Sequence, residues 1–203
     1  DIEQTAEGTH CNFLYNNEKY SVYVPIAGLH NVYNALAAFT AGVSLGISPA
    51  NAVEAIKAYV PAGMRQKTVK NFGMTFIEDC YNASPDSQKA SMNALMSIDG
   101  KRHIAVIGDM LELGTYSEKA HRDVGEYAAE KKVDMLFTYG NQSLFSADSA
   151  RKAGLENVNV FSDKTLLAEK LLEILKEGDV VSFKASRGMR LEEVIKKIYE
   201  GLD

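Results

Sequence analysis

Apolar positions along this chain change their period three times. Between residues 10 and 24, apolar and polar residues alternate on either side of Asn16 and Asn17, which predicts two strands joined in a hairpin. Two helical stretches follow, at 30–46 and 49–59, with Ser48 as an N-cap and Pro49 in the first turn. The helical pattern then breaks at Pro61-Ala-Gly-Met64, which predicts a domain boundary. The first domain is therefore read as residues 1–64 and the second as 65–203.

Beyond the break the pattern becomes regular. Short apolar runs at 75–78, 103–107, 135–138, 158–161 and 180–183 alternate with helical stretches at 86–98, 117–132, 142–153, 163–176 and 190–201. Strands alternating with helices at this spacing predict an α/β domain, a mostly parallel sheet covered on both faces in a doubly wound, Rossmann-like arrangement. The first 64 residues lack this alternation and read as the tail of another domain. The chain begins at Asp1 without a methionine and reads as a piece of a longer protein.

Composition narrows the function classes. The formal net charge is −5, so the basic surface that nucleic-acid binding needs is absent. No apolar run reaches the ~20 residues of a membrane span, and the polar, acidic start does not resemble a signal peptide. Cys11 and Cys80 read as reduced thiols of a cytoplasmic protein, without the spacing of a metal site. A monomer is expected.

In open α/β sheets, ligands bind outside the carboxyl ends of the strands. Three segments at such positions are rich in functional groups. They are Asp79-Cys-Tyr-Asn-Ala-Ser-Pro-Asp-Ser87, Gly108-Asp-Met-Leu-Glu-Leu-Gly114 and Lys184-Ala-Ser-Arg-Gly-Met-Arg190. In the third, Lys184, Ser186 and Arg187 precede a helix whose free N–H groups suit a carboxylate or phosphate. Each segment also has a plainer reading: Ser84 starting a helix, Asp109 and Glu112 pairing with helix dipoles, Lys184 and Arg187 as surface cations.

Upstream, Gly28-Leu-His-Asn-Val-Tyr-Asn-Ala-Leu-Ala-Ala38 places Asn31 and Asn34 on one face of a helix's first turn. Two amides there could read a polar ring edge, or an Asn N-cap could simply open an Ala-rich packing helix. Arg65, just past the break, is either a linker cation in water or a hinge residue reaching a phosphate. A phosphate-binding Gly-rich loop is missing: the one Gly-Lys, at Gly100 and Lys101, is followed by Arg102 and has Leu95 where the first glycine belongs. No zinc motif or nucleophile elbow occurs, and His10, His30, His103 and His121 are scattered.

From about residue 10 to the end, these segments resemble the Mur ligase family of ATP-dependent peptidoglycan enzymes. The Gly28–Ala38 stretch is similar to the family's adenine-site helix, which implies that Asn31 and Asn34 hold adenine. The resemblance likewise implies Arg65 on a nucleotide phosphate and Asp79 on the ribose. The three loops look like those of the branch that adds D-alanyl-D-alanine to UDP-N-acetylmuramoyl-tripeptide through an acyl phosphate. In that branch Asn82, Ser84, Lys184, Ser186 and Arg187 would serve the dipeptide or domain closure. Ser84 departs from the usual Asn, and Ala185 from the usual Gly. The resemblance places the P-loop and the magnesium ligands before Asp1, so residues 1–64 would be the end of the central ATPase domain and the chain alone would be inactive. Another Mur-like ATP-dependent amino-acid ligase, or a non-catalytic module of the same fold, is the alternative.

Overall fold

The computed structural model describes residues 1–5, 8–26, 28–60 and 67–203. The chain divides into two compact units, 1–62 and 63–203.

The first unit is a three-stranded antiparallel sheet, β1(Ile2–Gln4), β2(Thr9–Tyr15) and β3(Glu18–Val24), covered by helices α1(Leu29–Ser44) and α2(Pro49–Lys57). The predicted hairpin is β2 and β3. Asn16 and Asn17 have φ of 49° and 64°, the left-handed pair that a two-residue turn demands and that asparagine tolerates best after glycine. The inward positions of the hairpin, Cys11, Phe13, Val22 and Val24, meet Val32, Ala35 and Phe39 of α1 and Ala52 of α2 in one buried cluster. Gly28 enters α1 at φ +108°, and a Cβ there would lie 2.7 Å from the His30 ring. That is a glycine-only junction. Ser48 caps α2 as expected, accepting from Asn51 N–H. The short strand β1 was not expected; all three of its residues are exposed, so it carries no burial pattern to read.

The second unit is built on a six-stranded sheet. Its strands are β4(Lys67–Asn71), β5(Met74–Asp79), β6(Arg102–Gly108), β7(Met135–Tyr139), β8(Val158–Phe161) and β9(Asp179–Lys184). Their order is β4-β5-β9-β6-β7-β8. The five strands read from apolar runs are all present and all parallel. The sixth, β4, was not among the predicted runs and makes the sheet mostly rather than wholly parallel, as the fold class expects: it pairs antiparallel with β5 through a tight turn at Phe72 and Gly73. Lys67-Thr-Val-Lys-Asn71 has one half-buried residue, which is why hydrophobic alternation did not reveal it.

Helices α3(Pro85–Met96), α4(Ser117–Glu130), α5(Ser143–Lys152), α6(Lys164–Ile174) and α7(Glu192–Leu202) connect or flank the strands. The core between sheet and helices holds Phe76, Ile104, Val106, Phe137, Val181 and Phe183 against Leu167, Leu171, Val194 and Ile198. The last helix is shorter than the predicted 190–201. Residues Arg187–Met189 form a single 3-10 turn, Arg190 sits at φ 51°, and α7 starts only at Glu192. Among the described residues, no helix is long and apolar enough to cross a membrane.

Candidate functional site

Two places gather functional groups, one in each unit. In the first unit a pocket of about 380 Å³ opens between α1, α2 and the end of β3. Asn31 and Asn34 line it together with Val24, Ala35, Ala38, Ile56 and Tyr59. The helical spacing sets both amides on the same wall, and Asn34 Nδ2 lies 3.5 Å from Asn31 Oδ1. Small residues, Ala35, Ala38 and Gly42 on the same face of α1 and Ala52 and Ala55 on α2, leave the slot open. An apolar slot with amides on one wall suits a flat ring with a polar edge.

In the second unit the three predicted loops meet at the carboxyl edge of the sheet. Register brings the last residues of β5 and β9, Asp79 and Lys184, side by side. Lys184 Nζ is 2.8 Å from Asp79 Oδ2, with side chains 5% and 8% exposed. Lys184 Nζ also donates to the Asn82 carbonyl at 2.7 Å. One ammonium thus ties the end of β9 to the first loop. A buried charge pair of this kind need not stabilise a fold, but each partner alone would be a serious penalty.

The second loop is held just as firmly. Asp109, 6% exposed, accepts from Ser143 N–H and Oγ at 2.7 Å each and from Asn141 N–H at 3.0 Å. It therefore does for α5 what an N-cap carboxylate would do, from a different strand. Gly140 makes room for it: a Cβ there would lie 2.4 Å from Asp109 Oδ1, and its φ is +117°. Met110 N–H donates to Nε2 of the buried His121, whose Nδ1 faces the Ser117 carbonyl at 2.8 Å. Those partners require a neutral imidazole protonated at Nδ1. His121 is thereby a structural residue.

The third loop differs from expectation. Ser186 is buried; its Oγ accepts from Leu111 N–H at 2.9 Å, and its N–H donates to the Asp109 carbonyl at 3.2 Å. It fastens the third loop to the second, and a single 3-10 turn, not an α-helix, follows directly. Among Lys184, Ser186 and Arg187, Arg187 alone reaches solvent. Its guanidinium lies 5.9 Å from the Tyr81 ring centre and 4.0 Å from Glu192 Oε1. Asn82 is exposed at the same edge. Ser84 has the plainer role: it is the N-cap of α3, in a reciprocal capping box with Ser87. Arg65 lies outside the described residues, as does the predicted break at 61–64.

Cys80, beside Asp79, is buried and donates to the Phe183 carbonyl at 3.5 Å. Burial, with Asp79 next to it, pushes the thiol far up, so it is no nucleophile. Among the described residues, no three His, Cys, Asp or Glu side chains group as a metal site. One residue that the sequence did not single out also belongs to this edge. Gln88 on α3, 1% exposed, donates from Nε2 to the carbonyls of Gly108 and Lys184. A polar residue in a helix carries no periodic signal that would have found it.

Residues 64–187 match the family described as Mur ligase, glutamate ligase domain. The chain is 39% identical, over 98% of its length, to UDP-N-acetylmuramoyl-tripeptide–D-alanyl-D-alanine ligase of Bacillus subtilis, and 32% identical over 98% to the enzyme of that name from Escherichia coli. It spans 44% of the length of each. Among solved structures, it is similar to MurF from Acinetobacter baumannii, with a TM-score of 0.88 and 26% identity, covering 98% of this chain and 44% of that one.

Proposed function

Since this chain belongs to the Mur ligase family, we propose that it is the acceptor-side part of an ATP-dependent ligase joining D-alanyl-D-alanine to UDP-N-acetylmuramoyl-tripeptide. The observation that carries this reading is the 39% identity, along nearly the whole chain, to a ligase bearing that name. The pocket beside Asn31 and Asn34 and the loop cluster around Lys184 are both compatible with it.

In this reading a carboxylate oxygen of the tripeptide attacks the γ-phosphorus of ATP. ADP leaves, and an acyl phosphate remains. The dipeptide's amine nitrogen then attacks the acyl carbon, a proton leaves the nitrogen, and inorganic phosphate departs as the amide forms. Both steps gather negative charge, so fixed cations and N–H donors lower their barriers. Asn31 and Asn34 hold the adenine edge, Arg65 a phosphate, and Asp79 a ribose hydroxyl. Asn82, Ser84, Lys184, Ser186 and Arg187 form the dipeptide side. Within that group, Arg187 is the cation at the surface, while Ser84 and Ser186 act by holding their loops. Magnesium is implied by the family, but among the described residues no group of His, Cys, Asp or Glu side chains fits it.

The chain's 203 residues contain no P-loop, and we expect them to catalyse no ligation alone. The test is ADP release by the full-length gene product, given UDP-linked tripeptide and a panel of amine acceptors. Release that depends on D-alanyl-D-alanine supports the reading. Release with another acceptor replaces the substrate and keeps the ligase. Silence with every acceptor, from folded protein, overturns the ligase and favours a binding module.

A further inference from the structure

Gln88 sits in the first turns of α3, on the side that packs against the sheet through Met92 and Leu95. Its Nε2 is 3.4 Å from the Gly108 carbonyl and 3.3 Å from the Lys184 carbonyl. Gly108 ends β6 and Lys184 ends β9. These strands are neighbours in the sheet, and their ends carry the second and third loops. The helix bearing Gln88 is itself launched by the first loop. One primary amide therefore joins all three loops.

The orientation of the amide follows from its partners. Two carbonyl oxygens need donors, so the NH2 faces them. This leaves Gln88 Oε1 buried and without a hydrogen-bond partner. Stability alone does not account for it: an apolar side chain of the same length would remove the orphaned oxygen, while the Gly108 and Lys184 carbonyls would lose this donor. Its two donors are placed where they set the relative position of the strand ends, and one of those ends bears the ammonium that holds Asp79 and Asn82.

We propose that Gln88 is a positioning residue of the ligase. By fixing the backbone of Lys184 against Gly108, it sets the second and third loops, and with them Arg187, in the geometry that receives the incoming amine. This rests on the ligase reading above.

The test uses the full-length enzyme. Gln88→Met keeps the length, removes both donors and removes the orphaned oxygen. The expected result is a loss of about tenfold or more in kcat/KM for the acceptor, with KM for ATP within about twofold of wild type, measured on protein that a melting curve shows to be fully folded at the assay temperature. Acceptor kcat/KM within about twofold of wild type, or acceptor and ATP constants that worsen together, overturns the proposal. Gln88→Glu provides a second measurement. Its buried carboxyl donates one bond when protonated and repels both carbonyls when ionised. Its acceptor kcat/KM relative to wild type should therefore rise as pH falls; a flat ratio also overturns the proposal. Wild type is run beside both on the full acceptor panel. If it prefers another amine, the substrate assignment fails and the Gln88 comparison proceeds on that amine. If it accepts none, the ligase reading and the proposal fall together.

Discussion

Lys184 is a lysine with almost no access to water, held by one carboxylate and one carbonyl. Replacing it by Met leaves the Asp79 charge buried and unpaired, at a cost of about 3–5 kcal/mol. Replacing Asp79 by Asn as well should recover a large part of that cost, since the two changes share one interaction. Urea unfolding of the single and double variants measures both. At the other site, Asn31→Ala and Asn34→Ala in the full-length enzyme should each raise KM for ATP by up to about tenfold with little change in stability. Steady-state kinetics and a melting curve separate the two effects. Asn31 and Asn34 were legible from their helical spacing, and Lys184 and Asp79 only as charged residues of loops at the sheet's carboxyl edge; the burial and pairing of those two were not, because no local pattern places β5 beside β9. Ser186 was legible only as a polar residue; its actual partners, Leu111 and Asp109, lie some 75 positions away in the chain.

Among elements, α3 is the one most fully specified by local signals. Ser84, Pro85 and Ser87 give it a cap, a preset first turn and a reciprocal bond. Ser84→Ala should destabilise the second unit by about 1 kcal/mol, read as a shift in the urea midpoint with the slope unchanged. If Ser84 instead touches substrate, the same variant will lose activity well beyond its loss of stability. Strands β5, β6, β7 and β9 were legible because their centres are buried on both faces and read as apolar runs; β8, at the edge and only half-buried, was legible from its Val-x-Val-Phe run between two helical stretches. Strand β4 was not, for a reason that is itself functional: its exposed Lys67 and Lys70 guard the sheet's free edge. Such an edge strand is recognised by the turn beside it, here Phe72 and Gly73, more readily than by its own residues.

At the scale of the whole molecule, the second unit carries two acidic groups that folding keeps protonated. Burial pushes the Tyr199 hydroxyl up, and its bond to Glu78 Oε1 at 2.7 Å pushes it further. An unfolded tyrosine ionises near 10.0. The stability this shift contributes is complete below that pH and disappears as pH climbs toward the folded value. The Cys80 thiol, also raised, acts in the same direction from about its ordinary 9.0 upward. Unfolding free energy should thus fall between about pH 9 and 11, and Tyr199→Phe should make the decline shallower; urea titrations across that range check it. The overall sheet was foreseen from strand–helix alternation, whereas the strand order was not, because no local pattern records which strand becomes central.

That strand order has a consequence for how the protein is made. In chain order β9 is the last strand of the sheet, yet it lies between β5 and β6. While the chain emerges from a ribosome, β4–β5 and β6–β8 are two ribbons that share no ladder, with α3 between them. Their joining into one sheet, and the buried ion pair, require β9. A stalled or prematurely ended chain lacking β9 would therefore have the pocket beside Asn31 and Asn34 without the Lys184 loop cluster, and would leave the facing edges of β5 and β6 open, the mark of an unfinished product.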